Sequence, residues 1–198
     1  MAENKNTTPA AEKTAAEKKP ADILGTAYEL IEMISTVAVV VLIMFAFVVR
    51  LNIVDGESME ETLHHGEYLA VSDVFYEPEY GDIVIIHDIS AFPYVNPIVK
   101  RVIATEGQTV DIDFDTWTLT VDGVVIEEDY RTLKPDAFLT ADYSFPITVP
   151  ENEIFVLGDN RNHSADSRQI EIGTVDLRCV VGKAIARIAP MNKFTIFG

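Results

Sequence analysis

The sequence contains one cysteine, Cys179, among 198 residues. A single cysteine cannot form an internal disulfide, so a disulfide-stabilised fold is excluded. Cys179 is followed by two valines, and in this apolar run we expect a small buried side chain rather than a nucleophile.

Positive charge is also scarce. The chain has 15 lysines and arginines against 32 aspartates and glutamates, which gives a formal net charge of −17. Residues 1–50 hold five basic and six acidic groups, so 10 minus 26, or −16, belongs to the rest. A surface of this charge repels phosphate backbones, which argues against a nucleic-acid partner. Solubility or a saline habitat explains the acidity more simply than an acid-specific function does.

Motifs for cofactors and metals are missing as well. There is no glycine-rich phosphate loop, and we expect no cofactor. Asp111, Asp113 and Asp115 alternate like the start of a calcium loop, but Thr116 occupies the position that requires glycine. A strand with one solvent-facing side explains the alternation better. Two adjacent and two isolated histidines lack the spacing of metal ligands: His64, His65, His87 and His163.

The N-terminal part of the chain reads as a tail followed by a membrane anchor. Residues 1–22 are rich in Ala, Glu, Lys, Thr and Pro and lack aromatic residues, which predicts a disordered tail. Residues 33–49 are 17 residues without a charge. As a helix they would cover about 26 Å, close to the thickness of a bilayer core. We therefore predict that residues 23–50 form a transmembrane helix with its N-terminal flank.

Two other interpretations of this segment fit less well. A cleavable signal peptide would have a shorter apolar part nearer the N-terminus and a small-x-small cleavage site. A buried soluble helix would need to be covered on all sides. The four lysines of the tail favour a cytoplasmic N-terminus, so we expect a single-pass cell-membrane protein whose residues 51–198 form an extracytoplasmic domain.

The rest of the chain has the pattern of a mainly β domain. Short runs rich in Val, Ile, Thr and Phe alternate with turn residues, as is typical of strands. Asp122 and Gly123 suit a two-residue hairpin turn, which needs positive φ. The predicted strands are 68–71, 82–87, 98–104, 110–114, 118–127, 153–157 and 180–188.

Three segments resemble the conserved motifs of type I signal peptidases. They are Asp-Gly-Glu-Ser-Met-Glu-Glu-Thr-Leu at 55–63, Gly-Asp-Ile-Val at 81–84 with Val-Lys-Arg-Val-Ile at 99–103, and the segment 158–168. The last is the most specific, because eight of its eleven residues match the family string GDNRxxSxDSR. The resemblance implies a signal-peptidase-like catalytic β domain that follows one N-terminal transmembrane helix.

The resemblance assigns the chemistry to Ser58 as nucleophile and Lys100 as general base, 42 residues downstream. A lysine can act as a base only as the neutral amine, and burial among apolar neighbours favours that form. Arg101 should point to the opposite face of the strand and serve structure. The apolar neighbours expected around the lysine are Ile98, Val99, Val102 and Ile103.

Five further residues match supporting positions of the family. Ser164 matches a residue that helps to orient the lysine, and Asp166 and Arg168 match an ion pair that holds the loop. Asp159 and Arg161 are expected to have similar scaffold roles.

The first segment departs from the family in two ways. The main-chain N–H of Ser58 is the expected oxyanion donor, but Gly56 stands where some members have a second, hydroxyl donor. Glu61 replaces the usual proline and lies beside Glu60. Carboxylates aimed at Lys100 would favour its charged form, so we expect both to face solvent.

The resemblance also implies how a substrate binds. Ile98 and Val99 would offer a strand edge to an extended peptide, with Met59 and Leu63 as pocket walls that admit only small residues. The apolar segment Ala-Phe-Pro-Tyr-Val at 91–95 would lie in the membrane interface or pack as an ordinary loop.

The function expected from the resemblance is that of a membrane-bound serine endopeptidase. It would cleave N-terminal signal peptides from secreted preproteins after small residues by a Ser-Lys dyad. Its partners would be signal peptides and membrane lipid, near the secretion translocon. A self-cleaving repressor-type peptidase is the alternative enzyme, but the anchor and the missing DNA-binding domain argue against it. A catalytically silent binding module is disfavoured because Ser58 and Lys100 are both present.

Overall fold

A computed structural model of the protein describes residues 23–87, 96–132 and 141–198. The chain forms two compact units, the second of which begins at Met44. The predicted disordered tail at 1–22 and the apolar segment at 91–95 lie outside the described residues.

The N-terminal helix α1 spans Ile23–Val48. Its stretch Leu24–Ile43 has 20 residues and a mean hydropathy of 1.8, and the most apolar part of this stretch is not buried against the rest of the described protein. By length and composition this helix can cross a membrane. Exposing so much apolar surface to water is unfavourable, and a lipid surrounding removes that cost. The helix begins ten residues before the uncharged stretch on which its prediction was based.

The second unit is mainly β, as the sequence predicts. Every predicted run contains a strand. Four strands were not predicted: Arg50–Ile53, with four residues, and Ile147–Thr148, Val175–Asp176 and Thr195–Ile196, with two each. Three short 3-10 helices also occur in the described residues: Arg161–His163, Leu177–Cys179 and Met191–Lys193. The strands are β1 (Arg50–Ile53), β2 (Tyr68–Ser72), β3 (Ile83–Ile86), β4 (Ile98–Thr105), β5 (Thr109–Asp113), β6 (Thr118–Val121), β7 (Val124–Val125), β8 (Ile147–Thr148), β9 (Glu153–Leu157), β10 (Val175–Asp176), β11 (Val180–Ala189) and β12 (Thr195–Ile196).

The strands form two antiparallel sheets. The larger has the order β1-β2-β11-β3-β4-β9-β10, with β12 also paired to β11. The smaller has the order β7-β6-β5-β8. The hairpin between β6 and β7 turns at Asp122 and Gly123, whose φ angles are +51° and +78°. This confirms the predicted two-residue turn with positive φ at both positions.

The central strands of the larger sheet are covered on both faces. All four residues of β3 are buried; Ile83 and Ile85 pack into one hydrophobic cluster, and Val84 and Ile86 into another. Continuous apolar runs of this kind are typical of strands without a solvent-facing side. The strand β5 behaves differently: it alternates buried and exposed residues, which confirms the interpretation of its aspartates as a wet face.

Candidate active site

The larger sheet brings Ser58 and Lys100 into contact. Ser58 lies in the turns after β1, and Lys100 lies on β4. The Nζ atom of Lys100 is 2.7 Å from the Oγ atom of Ser58 and 3.0 Å from the carbonyl oxygen of Val99. Only 3% of Lys100 is exposed. A hydroxyl and an amine at this distance can exchange a proton.

Burial lowers the pKa of Lys100 to about 8, although the carboxylates of Asp166 and Asp159 act in the opposite direction. The charged form loses its hydration in the protein interior, and the nearby carboxylates recover only part of that loss. About a tenth of the lysine is therefore neutral at pH 7, and about half at pH 8. Glu61 is exposed and Glu60 is partly exposed, and neither is among the charges that perturb Lys100.

The loop 158–168 holds the nucleophile segment through Asn160. The main-chain N–H of Asn160 donates to the carbonyl oxygen of Ser58 (3.0 Å), and its Nδ2 donates to the carbonyl oxygen of Glu57 (3.1 Å). A second link runs from the Thr62 hydroxyl to the Asp159 carboxylate (2.5 Å). These contacts join segments about 100 residues apart in sequence.

Gly158 allows the loop to approach the nucleophile this closely. A Cβ atom at this position would lie 2.2 Å from Ser164 Oγ and 2.5 Å from the carbonyl oxygen of Ser58. No side chain fits in that space. The hydrogen bonds described for Lys100 do not include Ser164, so the orienting role expected of Ser164 stays a prediction.

Asp166 and Arg168 form a buried ion pair. Arg168 donates from Nε and NH2 to the two carboxylate oxygens of Asp166 at 2.7 and 2.8 Å. Asp166 also accepts the N–H of Gly158 (3.0 Å), and Arg168 reaches the carbonyl oxygen of Arg161 (3.1 Å). Burial alone would raise the pKa of Asp166, but the Arg168 guanidinium outweighs it and the pKa is lowered. The pair therefore stays charged and links both ends of the loop.

Arg101 leaves β4 on the face opposite Lys100, because side chains alternate along a strand. Its Nε and NH2 donate to the Asp159 carboxylate at 2.8 and 2.6 Å. The ring of Tyr130 lies 4.0 Å from the guanidinium. This arrangement fits the structural role expected of Arg101.

Sequence reasoning missed the partner of Arg161. Arg161 is 2% exposed, and its guanidinium pairs with the carboxylate of Glu128, whose side chain is 1% exposed. A buried arginine needs a counter-charge, and this requirement is the one signal that Arg161 pairs with an aspartate or a glutamate. The chain offers 32 acidic residues, and nothing in their spacing singles out Glu128.

The predicted substrate residues have different surroundings. Met59 and Leu63 are 1% and 0% exposed and lie in a hydrophobic cluster with Val99. In this structure they are part of the hydrophobic core, and their role as pocket walls stays a prediction. Ile98 is partly exposed. Among the described residues, no group of three or more His, Cys, Asp or Glu has the arrangement of a metal site.

Comparison with known proteins leads to the same family as the three sequence segments. The signal peptidase family, peptidase S26, matches residues 27–189. The signal peptidase I of Bacillus licheniformis is 36% identical over 187 residues, which cover 89% of this chain and 96% of that protein. Signal peptidase I T of Bacillus subtilis is 34% identical over 203 residues, covering 98% and 97%. A crystal structure of a signal peptidase I from Enterococcus faecalis is 32% identical, covers 55% of this chain and 97% of its own, and has a TM-score of 0.44.

The chain therefore belongs to the signal peptidase family, peptidase S26. It is a hydrolase of the signal peptidase I type, which confirms the resemblance drawn from the sequence. The family and the apolar helix α1 together indicate a membrane-anchored protein.

Proposed function

We propose that the protein is a membrane-bound endopeptidase that removes N-terminal signal peptides from secreted preproteins, with Ser58 as nucleophile and Lys100 as general base. The observation that carries this proposal is the 2.7 Å contact between Ser58 Oγ and Lys100 Nζ, at a lysine whose pKa burial lowers to about 8. The relatives named signal peptidase I support the choice of substrate.

The reaction follows the Ser-Lys form of acyl transfer. The neutral amine of Lys100 accepts the hydroxyl proton of Ser58 as Oγ attacks the scissile carbonyl carbon. The protonated amine then gives that proton to the leaving amino group, and the signal peptide remains as an ester on Ser58. A water molecule, deprotonated by the same amine, hydrolyses the ester and restores the enzyme.

In this proposal the main-chain N–H of Ser58 donates a hydrogen bond to the negatively charged oxygen of the tetrahedral intermediate. The two bonds from Asn160 support it, because the Glu57 carbonyl belongs to the same peptide unit as that N–H and the Ser58 carbonyl belongs to the next unit. Gly56, with φ at +96°, contributes no side-chain donor.

Among the described residues, no strand pairs with residues 98–100 of β4 on the side away from β3, which offers a place for an extended substrate. The β9 pairing of β4 runs from Arg101 to Thr105. The N–H and C=O of Val102 bond toward the β3 side, to Asp82 and Gly81. Because these groups alternate along an antiparallel strand, those of Val99 point away from β3. A preprotein segment could add there as a strand, next to Lys100.

The test is incubation of detergent-solubilised protein with a preprotein, followed by mass analysis of the products. A panel would vary only the residue at the cleavage position and the residue two before it. We expect a cut after Ala, Ser or Gly and none after Leu or Phe, because shallow pockets exclude larger groups by overlap. Efficient cleavage after Leu or Phe would sink the small-pocket proposal.

We further propose that residues 51–198 face outward, near the secretion translocon and the lipid surface. The lysines before α1 support this orientation. Protease added outside sealed cells should digest the β domain and spare residues 1–22. The reverse digestion pattern would contradict the orientation and leave the chemistry untouched.

A further inference from the structure

The Glu128 carboxylate fixes the beginning of the loop 158–168. Both of its oxygens accept hydrogen bonds from Arg161, one from NH2 and the other from NH1 at 3.1 Å. Arg161 in turn donates from Nε to the carbonyl oxygen of Gly158 (2.9 Å). Since both charges are buried, neither can leave the other without a large desolvation cost. The pair therefore holds the loop firmly at Gly158 and Arg161.

Residues 128–132, the clamp segment, hold the same part of the loop at two more places. The N–H of Thr132 donates to the carbonyl oxygen of Asp159 (2.9 Å), and the N–H of Arg161 donates to the carbonyl oxygen of Thr132 (3.0 Å). The ring of Tyr130 lies against Arg101, which pairs with Asp159. The clamp segment thus contacts the residues on both sides of Asn160.

Asn160 connects the clamp segment and the loop to the nucleophile. Its two hydrogen bonds to the carbonyls of Ser58 and Glu57 are made from the middle of the clamped stretch. A shift of the loop would move the Ser58 carbonyl, and with it Oγ relative to Nζ of Lys100. A misplacement of about 1 Å in a catalytic arrangement can cost about a hundredfold in rate.

From these contacts we propose that Glu128 is a positioning residue: through Arg161 and Asn160 it sets the placement of Ser58 opposite Lys100. This inference rests on the proposed function, because it concerns the same Ser-Lys chemistry. Glu128 touches neither the nucleophile nor the base in the described contacts, so its effect reaches them through the loop. Substrate would bind along β4, so positioning should change kcat and leave KM nearly unchanged.

The experiment compares Glu128→Gln with Glu127→Gln in the full chain in detergent. Glu127 is the preceding residue in sequence and is exposed, which makes it a matched control. Circular dichroism first establishes a temperature at which wild type and both variants are folded. At that temperature Glu128→Gln should lower kcat by roughly 10- to 100-fold while KM stays within about threefold. Glu127→Gln should match wild type.

Each outcome decides a separate question. If wild-type protein does not cleave the preprotein, the proposed function fails. If wild type cleaves and folded Glu128→Gln keeps the kcat of the control, or changes KM alone, the positioning role is overturned. If Glu128→Gln does not fold, Glu128→Asp replaces it, because the shorter carboxylate keeps the charge but reaches Arg161 less well. A kcat about tenfold lower supports the proposal, and an unchanged kcat overturns it.

Discussion

Lys100 and Arg101 are neighbours on β4 and are both buried, with 3% and 9% of their surface exposed, yet their hydrogen-bond partners differ. Arg101 donates two hydrogen bonds to the carboxylate of Asp159. The described hydrogen bonds of Lys100 go to neutral groups, the hydroxyl of Ser58 and the carbonyl of Val99. Arg101 therefore has a carboxylate at hydrogen-bond distance, whereas the described hydrogen bonds of Lys100 include none to a carboxylate.

This difference in hydrogen-bond partners explains why Arg101 stays charged whereas Lys100 can lose its proton. Burial acts to lower the pKa of Arg101, but its hydrogen bonds and attraction to Asp159 outweigh that effect and raise the pKa. Burial prevails at Lys100, where it lowers the pKa to about 8. Adjacent positions on one strand thus keep one side chain charged for the scaffold and let the other become neutral for proton transfer.

Removing either member of the reactive pair should have the largest effect. Ser58→Ala and Lys100→Ala should each lower kcat by about 10⁴-fold or more, because nucleophile and base act as a unit. Both variants should keep the thermal unfolding midpoint near that of wild type or above it. Ser144→Ala, at an exposed position, is the control and should retain full activity. Near-normal turnover by either active-site variant would contradict the assigned mechanism.

Breaking a paired, buried charge should cost stability as well as rate. Asp166→Asn leaves Arg168 buried with a weakened partner, and we expect a loss of about 3–5 kcal/mol in the free energy of unfolding. The rate should fall with it, since the loop is distorted.

The chain provides a matched control for this variant. Asp176 and Arg178 form the same ion pair two residues apart, but Arg178 is 90% exposed, so Asp176→Asn should leave stability and rate unchanged. Denaturant titration measures both variants. Normal stability of Asp166→Asn combined with complete inactivity would argue for a direct chemical role of Asp166.

Replacing Lys100 by an uncharged side chain should raise the free energy of unfolding, whereas Asp166→Asn should lower it. The pKa of Lys100 falls from 10.5 in the unfolded chain to about 8 in the fold, so folding opposes its charged form. This penalty is complete below about pH 8 and disappears as the pH rises toward 10.5. Lys100→Met should therefore raise the free energy of unfolding at pH 7 by up to about 3 kcal/mol. The gain should shrink between pH 8 and 10, and a loss of stability at pH 7 would contradict this account.

The smallest expected effect is the pH dependence of the wild-type enzyme. Only the neutral lysine can accept the Ser58 proton, so kcat/KM should be half-maximal near the Lys100 pKa of about 8. Below that pH the rate should fall about tenfold per unit. Initial rates of peptide cleavage at several pH values measure this profile. A profile that is flat down to pH 6 would mean that another group is the base.

The sequence alone led to the family, the apolar helix and the mainly β fold. These conclusions depend on local features: an uncharged stretch long enough for a membrane, short runs of β-branched residues, and the string at 158–168. The turn at Asp122 and Gly123 was predictable for the same reason, since two adjacent residues with positive φ are a local requirement. The missed strands β8, β10 and β12 have two residues each and carry no periodic signal. The strand β1, with four residues, was missed as well.

Only the tertiary structure determined the partners of the buried charges. The motif gives Ser58 and Lys100 but no distance between them, and it gives Arg161 without Glu128. It marks Met59 as a pocket residue without showing that Met59 is buried in a hydrophobic cluster. Such pairings depend on which strands become neighbours, here segments joined across about 100 residues. The pKa of Lys100 is likewise set by burial in the folded domain, because desolvation is a property of the packed surroundings and not of the residue type.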